Sequence, residues 1–409
     1  MSTLSPRLPL EGVKVLDLTR ALAGPMATTL LADLGADVIK VEPVEGEMIR
    51  RWAPFDGDTS LYDVSVNRNK RSLTLDFRSD SGKALLRRLA LECDVLVENF
   101  RPGVLEQLGL DPYGLRQDAP QLIVARMSGY GPVGPLRDEP CFDQIVQGMA
   151  GLMSLTGDPA GPKYRVGIPI TDILSGMFTA IAIAAALAAR GSGAQVNQVE
   201  TSLLESALGV LTFQAQRYLS LGEVPPAAGN DHPVLAPYGV FSTADVPINI
   251  AAATDDQYGR LTEVIGAPEL QSDPRFATSR ARTAHRSELR DELEAVLTTA
   301  PASEWEERLR AASIPVGPVQ DMAGVFNHPQ VQAVEMVTSV EHGSLGNINI
   351  LRGPFRVDGE PVPVRRPAPL LGEHSREILI QFGLSEPEID QLISDETVGS
   401  RTTANSSNA

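Results

Sequence analysis

GVKVLDLTRALAGPMATTLLADLGADVIKVE, residues Gly12–Glu42, decides the fold. Val13 to Leu18 is a short apolar run with β-branched residues, bounded by Gly12 and Thr19, and reads as a buried strand. Pro25 to Leu34 has a helical pattern, and Gly35 ends it as a C-cap. Asp37 to Glu42 is a second strand. Outward from this unit the alternation continues. Ser72–Asp76 is a third strand, Gly82–Leu91 a helix opened by Ser79 and Asp80, and Asp94–Glu98 a fourth strand. Pro102–Leu108 is a short helix and Leu122–Met127 a fifth strand. Strands alternating with helices at this spacing predict an α/β fold, a parallel sheet with helices on its faces. The turn after the first strand lacks G-x-G-x-x-G, so a nicotinamide or flavin fingerprint is absent.

Long helices are expected at Ile173–Arg190 and Glu200–Ser220. The first is apolar over Ile173–Ala189, but rich in Ala and interrupted by Ser175, Gly176 and Thr179. A membrane span needs about 20 strongly apolar residues, so this stretch reads as a buried, closely packed helix. The Gly- and Pro-rich loop Gly222–Pro237 marks a domain boundary. The expected division is residues 1–221, a smaller α+β region at 222–320, a return at 321–396, and a disordered tail at 397–409. Phe355–Pro369 should run extended over a surface.

The chain has 409 residues, 43% hydrophobic and 21% charged, which excludes wholesale disorder. Asp plus Glu number 52 against 35 Lys plus Arg, a net charge of -17. Such a surface repels phosphate backbones, so no nucleic-acid or anionic-membrane partner is expected. Cys93 and Cys141 cannot form a disulfide framework and fit a reducing cytoplasm. His232, His285, His328, His342 and His374 are scattered without ligand spacing, so no metal is expected. The N-terminus carries no secretory signal pattern.

Few residues suggest chemistry on their own. Asp172, in VGIPITDILSG, either caps a helix or is a carboxylate nucleophile kept dry by apolar neighbours. Asp143 either caps the following helix or is a second carboxylate with a perturbed pKa. Cys141 reads better as a small hydrophobe than as a nucleophile, because no His is placed as its partner. Asn67–Arg71 (NRNKR), including Arg71, is either a solvated turn or a local phosphate-binding cluster. Asn99, Phe100 and Arg101 follow the fourth strand, where ligands of open parallel sheets sit.

Together the motifs resemble the class III CoA-transferases, the family of formyl-CoA transferase, carnitine CoA-transferase and α-methylacyl-CoA racemase. The matching stretches begin at Leu10 with LEGVKVLDLTRALAGPMATTLLADLGADVIKVEP. They continue through NRNKRSLTLDF, DVLVENFRPGVLEQLGL, GYGPVGP, VGIPITDILSG, GNDHPVLAPYGVF and IPVGPV to PLLGEHSREIL. The resemblance implies an interlocked homodimer, each chain a Rossmann-like large domain with a smaller domain inserted. It implies coenzyme A as a substrate, not a permanently bound cofactor, lying along Leu22, Ala23, Leu75 to Arg78, Asn99 to Arg101 and Glu139 to Phe142. The implied activity moves CoA from an acyl-CoA to a carboxylic acid through a mixed anhydride and a thioester on Asp172, with Asp143 assisting. A racemase, or a CoA-binding protein without catalysis, is the alternative.

Departures qualify this. Leu22 stands where formyl-CoA members carry Gln, and Gly229-Asn230-Asp231-His232 replaces a run of glycines, so oxalate and formyl-CoA are not the expected pair. Phe142 occupies the position of the racemase histidine. Pro43 and Gln107 stand where some members have arginines. Asn67 to Arg71, Arg78 and Arg101 are expected to make the groove locally positive, so added salt should weaken CoA binding.

Overall fold

The computed structural model describes residues 7–399. Contacts divide the chain into two units: one takes the described residues up to Leu152, then Arg165–Leu221, then those from Val334; the other takes Met153–Tyr164 and Gly222–Ala333.

The first unit is built on β1 (Lys14–Asp17), α1 (Ala23–Asp33), β2 (Asp37–Glu42), β3 (Lys70–Thr74), α2 (Asp80–Leu91), β4 (Val95–Glu98) and β5 (Ile123–Ser128). Next come α3 (Asp143–Met149), α4 (Ile170–Gly191), β6 (Gln198–Ser202), α5 (Leu203–Gly209) and α6 (Thr212–Leu221). The six strands are all parallel, in the order β3-β2-β1-β4-β5-β6. This is the Rossmann order, whose direction reverses between β1 and β4 and opens a crevice beyond their carboxyl ends. Leu16, Ile39, Leu73 and Leu96 are fully buried in the core on one side of the sheet; Val15, Val38, Val95 and Ala125 are buried on the other. Continuous apolar strands are what a sheet covered on both faces requires.

Residues 200–202 differ from the expected helix, being part of Gln198–Ser202. That segment forms the edge strand β6, in which Val199 and Thr201 alternate with polar residues. Ser202 then caps α5 by accepting from the Glu205 N–H at 3.1 Å. The helical run breaks before α6 at Thr212, whose φ is +45°.

Helix α4 is long and apolar enough to cross a membrane by length and composition, with mean hydropathy 1.8. One face of it is buried: Thr171, Ser175, Gly176, Thr179, Ala180, Ile183 and Ala186. The opposite face carries Met177, Phe178 and Ile181, which are 44%, 38% and 61% exposed. The expected burial therefore holds for one side only. On that side Gly176 lies against α1 so closely that a Cβ would stand 2.7 Å from the Ala23 carbonyl oxygen and 2.9 Å from Met26 Cβ.

The C-terminal segment docks on β3. His374 donates its N–H to the Ser72 carbonyl at 3.0 Å, and Gly372 to the Ser72 hydroxyl at 2.9 Å. Phe355–Pro369, expected to run extended over a surface, holds a short antiparallel hairpin, Arg356–Val357 with Glu360–Pro361, and buries Val362 and Ala368; the Arg365 and Arg366 backbone N–H groups donate to the Asn69 side chain. The expected disorder from residue 397 is corrected at its start. Val398 is fully buried among the leucines of the sheet core, and the Thr397 carbonyl accepts from Asp76. Residues 400–409 of that tail lie outside the described residues.

The second unit has an antiparallel sheet of β7 (Tyr238–Phe241), β8 (Ile248–Ala251) and β9 (Val316–Pro318), with β8 in the middle. Its core holds Trp305, Phe276, Leu261, Leu289 and Leu293. This unit extends past residue 320 to Ala333 and takes in Met153–Tyr164.

Replacing Gly176 by Ala forces α1 and α4 apart. The expected cost is about 1–3 kcal/mol, read by urea unfolding; unchanged stability would show that the contact yields without strain.

Candidate active site

The turn after β1 is held from below by buried charges. Asp17, fully buried, accepts from the Thr19 N–H at 2.9 Å, the Thr28 hydroxyl at 2.6 Å and Lys70 Nζ at 3.0 Å. Burial alone would raise its pKa, but Lys70, Lys40 and the two hydroxyls hold it down at about 2. Ala21 is left-handed, φ +61°, a strained state for a residue with a Cβ. Its N–H donates to Glu47 Oε2 at 2.9 Å, and Glu47 is paired with Lys40 at 2.5 Å. Lys40 also donates to the Thr19 carbonyl at 3.1 Å. Arg20 and Asn99 exchange two bonds of 2.9 Å, tying the β1 turn to the β4 turn. The Arg20 guanidinium lies 4.8 Å from the centre of the Phe100 ring. Leu22, at the cap position of α1, gives the helix no side-chain cap bond, and Leu22 and Ala23 line the crevice.

Two clefts open there, each about 390 Å³. The first brings together Leu22, Ala23, Asn99, Phe100, Arg101, Cys141, Phe142 and Asp172. The second holds Leu75 and Arg78. Arg20, Met48 and Val104 line both, so the two form one elongated groove.

Arg71 is elsewhere. Its guanidinium binds Asp37 through Nε and Nη2 and Glu377 through Nη1, with Gln381 as a fourth contact. Arg68 is bidentate to Asp33, and Lys70 is fully buried. The cations of Asn67–Arg71 are thus consumed inside the protein, which corrects the expectation that they, Arg71 included, face a ligand. Exposed Arg20, Arg78 and Arg101 remain at the groove.

Asp172 stands in the first turn of α4, half-buried. Asp143 lies behind it, 6% exposed. Asp143 Oδ1 accepts from both the N–H and the hydroxyl of Thr171, each at 2.9 Å, and Oδ2 accepts from Gln147 at 2.7 Å. It therefore caps α4, the helix of Asp172, and not its own helix α3 as one reading expected; the cap position of α3 is Phe142, without a side-chain bond. Gln147 accepts from the Val166 N–H at 2.8 Å and fixes the segment leading into α4. Burial and then the Asp143 charge push the Asp172 carboxyl up to about 7. A carboxylate so desolvated is more reactive than one in water.

Burial pushes the Cys141 thiol up as well, with Asp172 and Asp143 adding to it, so it is not a ready thiolate. Tyr62 belongs to the same centre: burial raises its pKa, the charges of Asp172 and Asp143 add, and Arg165 opposes. Tyr62 and Arg165 reach the site through contacts distant along the chain, and Gln147, although it binds Asp143 one turn away on α3, shows its role only through its bond to Val166. Glu98 is a further omission. It is buried beneath the β4 turn, accepting from the Phe100 N–H at 2.7 Å and from Arg126 at 2.8 Å. Among the described residues no cluster of His, Cys, Asp or Glu could hold a metal ion.

A Rossmann-type sheet with a groove at its switch point and a desolvated carboxylate at one end of that groove defines an α/β enzyme that holds an elongated ligand. Residues 10–375 match CoA-transferase family III, and the chain belongs to that family. It is 38% identical to the acetyl-CoA:oxalate CoA-transferase of Acetobacter aceti, over 93% of this chain and 97% of that protein. It is 37% identical to the succinate–glutarate CoA-transferase of Agrobacterium fabrum, over 91% and 96%. A CaiB/BaiF family protein from Brucella suis superposes with a TM-score of 0.81 at 37% identity, covering 92% of this chain and all of that one. The protein is a CoA-transferase.

The raised pKa of Asp172 has a stability consequence. Unfolded, the group ionises near 3.8; folded, near 7. Between these values the unfolded chain sheds the proton first, so stability falls as pH rises. Asp172→Asn removes this loss. Its stability relative to the native protein should therefore increase between about pH 4 and about pH 8 in urea unfolding; a pH-independent difference would contradict the shift.

Proposed function

We propose that the enzyme transfers CoA from an acyl-CoA donor to a carboxylic-acid acceptor with Asp172 as covalent nucleophile. The carrying observation is the desolvated Asp172 at the end of a groove that also holds the predicted CoA residues Leu22, Ala23, Asn99, Phe100 and Arg101. The Asp172 carboxylate attacks the thioester carbonyl, forming a mixed anhydride and expelling CoA thiolate. The thiolate attacks the aspartyl carbonyl and releases the donor acid, leaving an aspartyl–CoA thioester. The acceptor carboxylate displaces the thiolate to form a second anhydride. Finally the thiolate attacks the acceptor acyl carbon, producing the new acyl-CoA and restoring the Asp172 carboxylate. Water must be kept out at each stage, because both intermediates hydrolyse.

Leu75 and Arg78 in the adjoining cleft, with Arg20 and Arg101, suit the nucleotide end of CoA. Asp143 acts as the positioning group for Asp172, through Thr171. Phe142 at the cleft wall provides no second base for racemisation. The similar transferases act on oxalate, glutarate, D-citramalate or mesaconate by name, all dicarboxylic acids, and we take a small dicarboxylate as the acceptor.

We also infer a homodimer, interlocked as in the family, working in the cytoplasm. Its support is the open apolar face of α4 together with Tyr218, Leu219 and Leu221 on α6, 56%, 75% and 68% exposed; so much exposed apolar surface calls for cover.

The test is chemical trapping. Incubation with succinyl-CoA followed by hydroxylamine should convert Asp172 to a hydroxamate, located by peptide mass spectrometry. Asp172→Asn should lose transfer by about three orders of magnitude or more. Transfer that proceeds with Asp172 unmodified would overturn the mechanism.

A further inference from the structure

The acid pair around the nucleophile has a charge problem. Burial and then Asp143 disfavour the Asp172 charge, and among the described residues no cation offsets it directly. A dicarboxylic substrate brings two more negative groups to the same place. One will be consumed in the anhydride; the other needs a partner, since a desolvated carboxylate without one is costly.

Arg165 is the cation beside this centre. Its Nη1 stands 3.9 Å from Asp143 Oδ2, beyond hydrogen-bond length. Thr171 and Gln147 already hold both Asp143 oxygens in place, and the Arg165 fork stays outside that set of bonds. Among the described residues the Arg165 guanidinium has no hydrogen-bond acceptor, and its side chain is 45% exposed. It contrasts with Arg50, Arg68 and Arg71, whose forks are filled by Glu42, Asp33 and Asp37. Nor is its place arbitrary. The next residue, Val166, is pinned to Gln147, the same side chain that binds Asp143. The backbone carrying Arg165 and the helix carrying Asp172 are thereby fastened to one short helix, α3. Arg165 also acts electrostatically on Tyr62, as Asp172 does.

We propose that Arg165 is a specificity-determining residue: its free guanidinium fork receives the second carboxylate of a dicarboxylic substrate while the first reacts at Asp172. This rests on the CoA-transferase reading above and adds what selects the acid. A guanidinium presents two parallel N–H donors matched to a carboxylate, a geometry an ammonium does not reproduce. The same fork serves in both directions of transfer, because the second carboxylate persists when the acid is already a CoA ester.

The experiment compares pairs of acids of equal chain length, glutarate with valerate and succinate with butyrate, as acceptors from acetyl-CoA. The native enzyme should prefer the diacid in kcat/KM. In Arg165→Leu that preference should fall roughly ten- to hundredfold, the worth of hydrogen bonds to a charged group. The loss should appear mainly in KM for the acid. Arg165→Lys should retain an intermediate preference, and serves alone if the leucine variant does not fold. An unchanged diacid preference in both variants, or a native enzyme indifferent to the second carboxylate, overturns the proposal while leaving CoA transfer intact. Absence of transfer to every acid, with no hydroxamate on Asp172, would instead remove the function on which it rests.

Discussion

The hydrogen bonds from Thr171 to Asp143 are the interaction on which the site depends. They satisfy donors that α4 would otherwise leave open at its first turn, and so fix where that helix begins. Asp172 follows by one residue. Burial is the larger cause of the raised Asp172 pKa, and the same Asp143 carboxyl group that positions the start of its helix adds to it. Gly176 completes the arrangement one turn later, since a side chain there would push α4 off α1 and carry Asp172 away from Leu22 and Ala23, which line the same cleft. Neither feature works without the other: the bond sets the start of the helix, and the glycine sets its distance from the crevice.

The charge of -17 concealed how the protein uses its cations. Lys40 and Lys70, two of a small number of lysines, are fully buried and support the turn after β1 from the side opposite the groove. They compensate Asp17 and Glu47, and through Glu47 they hold Ala21 in a conformation that an isolated peptide avoids. Cations exposed at the groove are arginines, whose planar donors suit phosphate and carboxylate. Bulk acidity and local arginines are thus compatible, because the internal cations are cancelled within the protein while Arg20, Arg78 and Arg101 stay exposed, Arg78 within 4.0 Å of Glu45.

Much of the fold was legible because β1, β2, β4 and β5 are short segments rich in Val, Ile and Leu that alternate with helices, as a doubly covered parallel sheet demands. The edge strand β6 was not, because Gln198-Val199-Glu200-Thr201 alternates polar and apolar and adjoins two helices. Asp172 could be singled out by its apolar flanks and its place before a helix. The role of Asp143 could not, since its cap is made to a helix 28 residues further on, and local sequence shows only the cap it could make to its own. Arg71 was misread for the mirror-image reason. A run of cations looks the same whether it faces solvent or Asp37 and Glu377, and Glu377 is more than 300 residues away. Tyr62, Gln147 and Arg165 sit in unremarkable sequence and gain meaning only from their neighbours in space.

The central claim, that the acyl group and CoA pass in turn through the Asp172 carboxyl, is tested most directly by following oxygen. In a single turnover with acceptor acid carrying heavy oxygen in its carboxylate, the second anhydride makes an acceptor oxygen the bridge to Asp172. Cleavage on the acceptor side leaves that oxygen on the enzyme. Mass spectrometry should find one heavy oxygen in the peptide containing Asp172 and none yet in the released donor acid. Label that passes directly into the donor acid, with the Asp172 peptide unlabelled, would contradict the account.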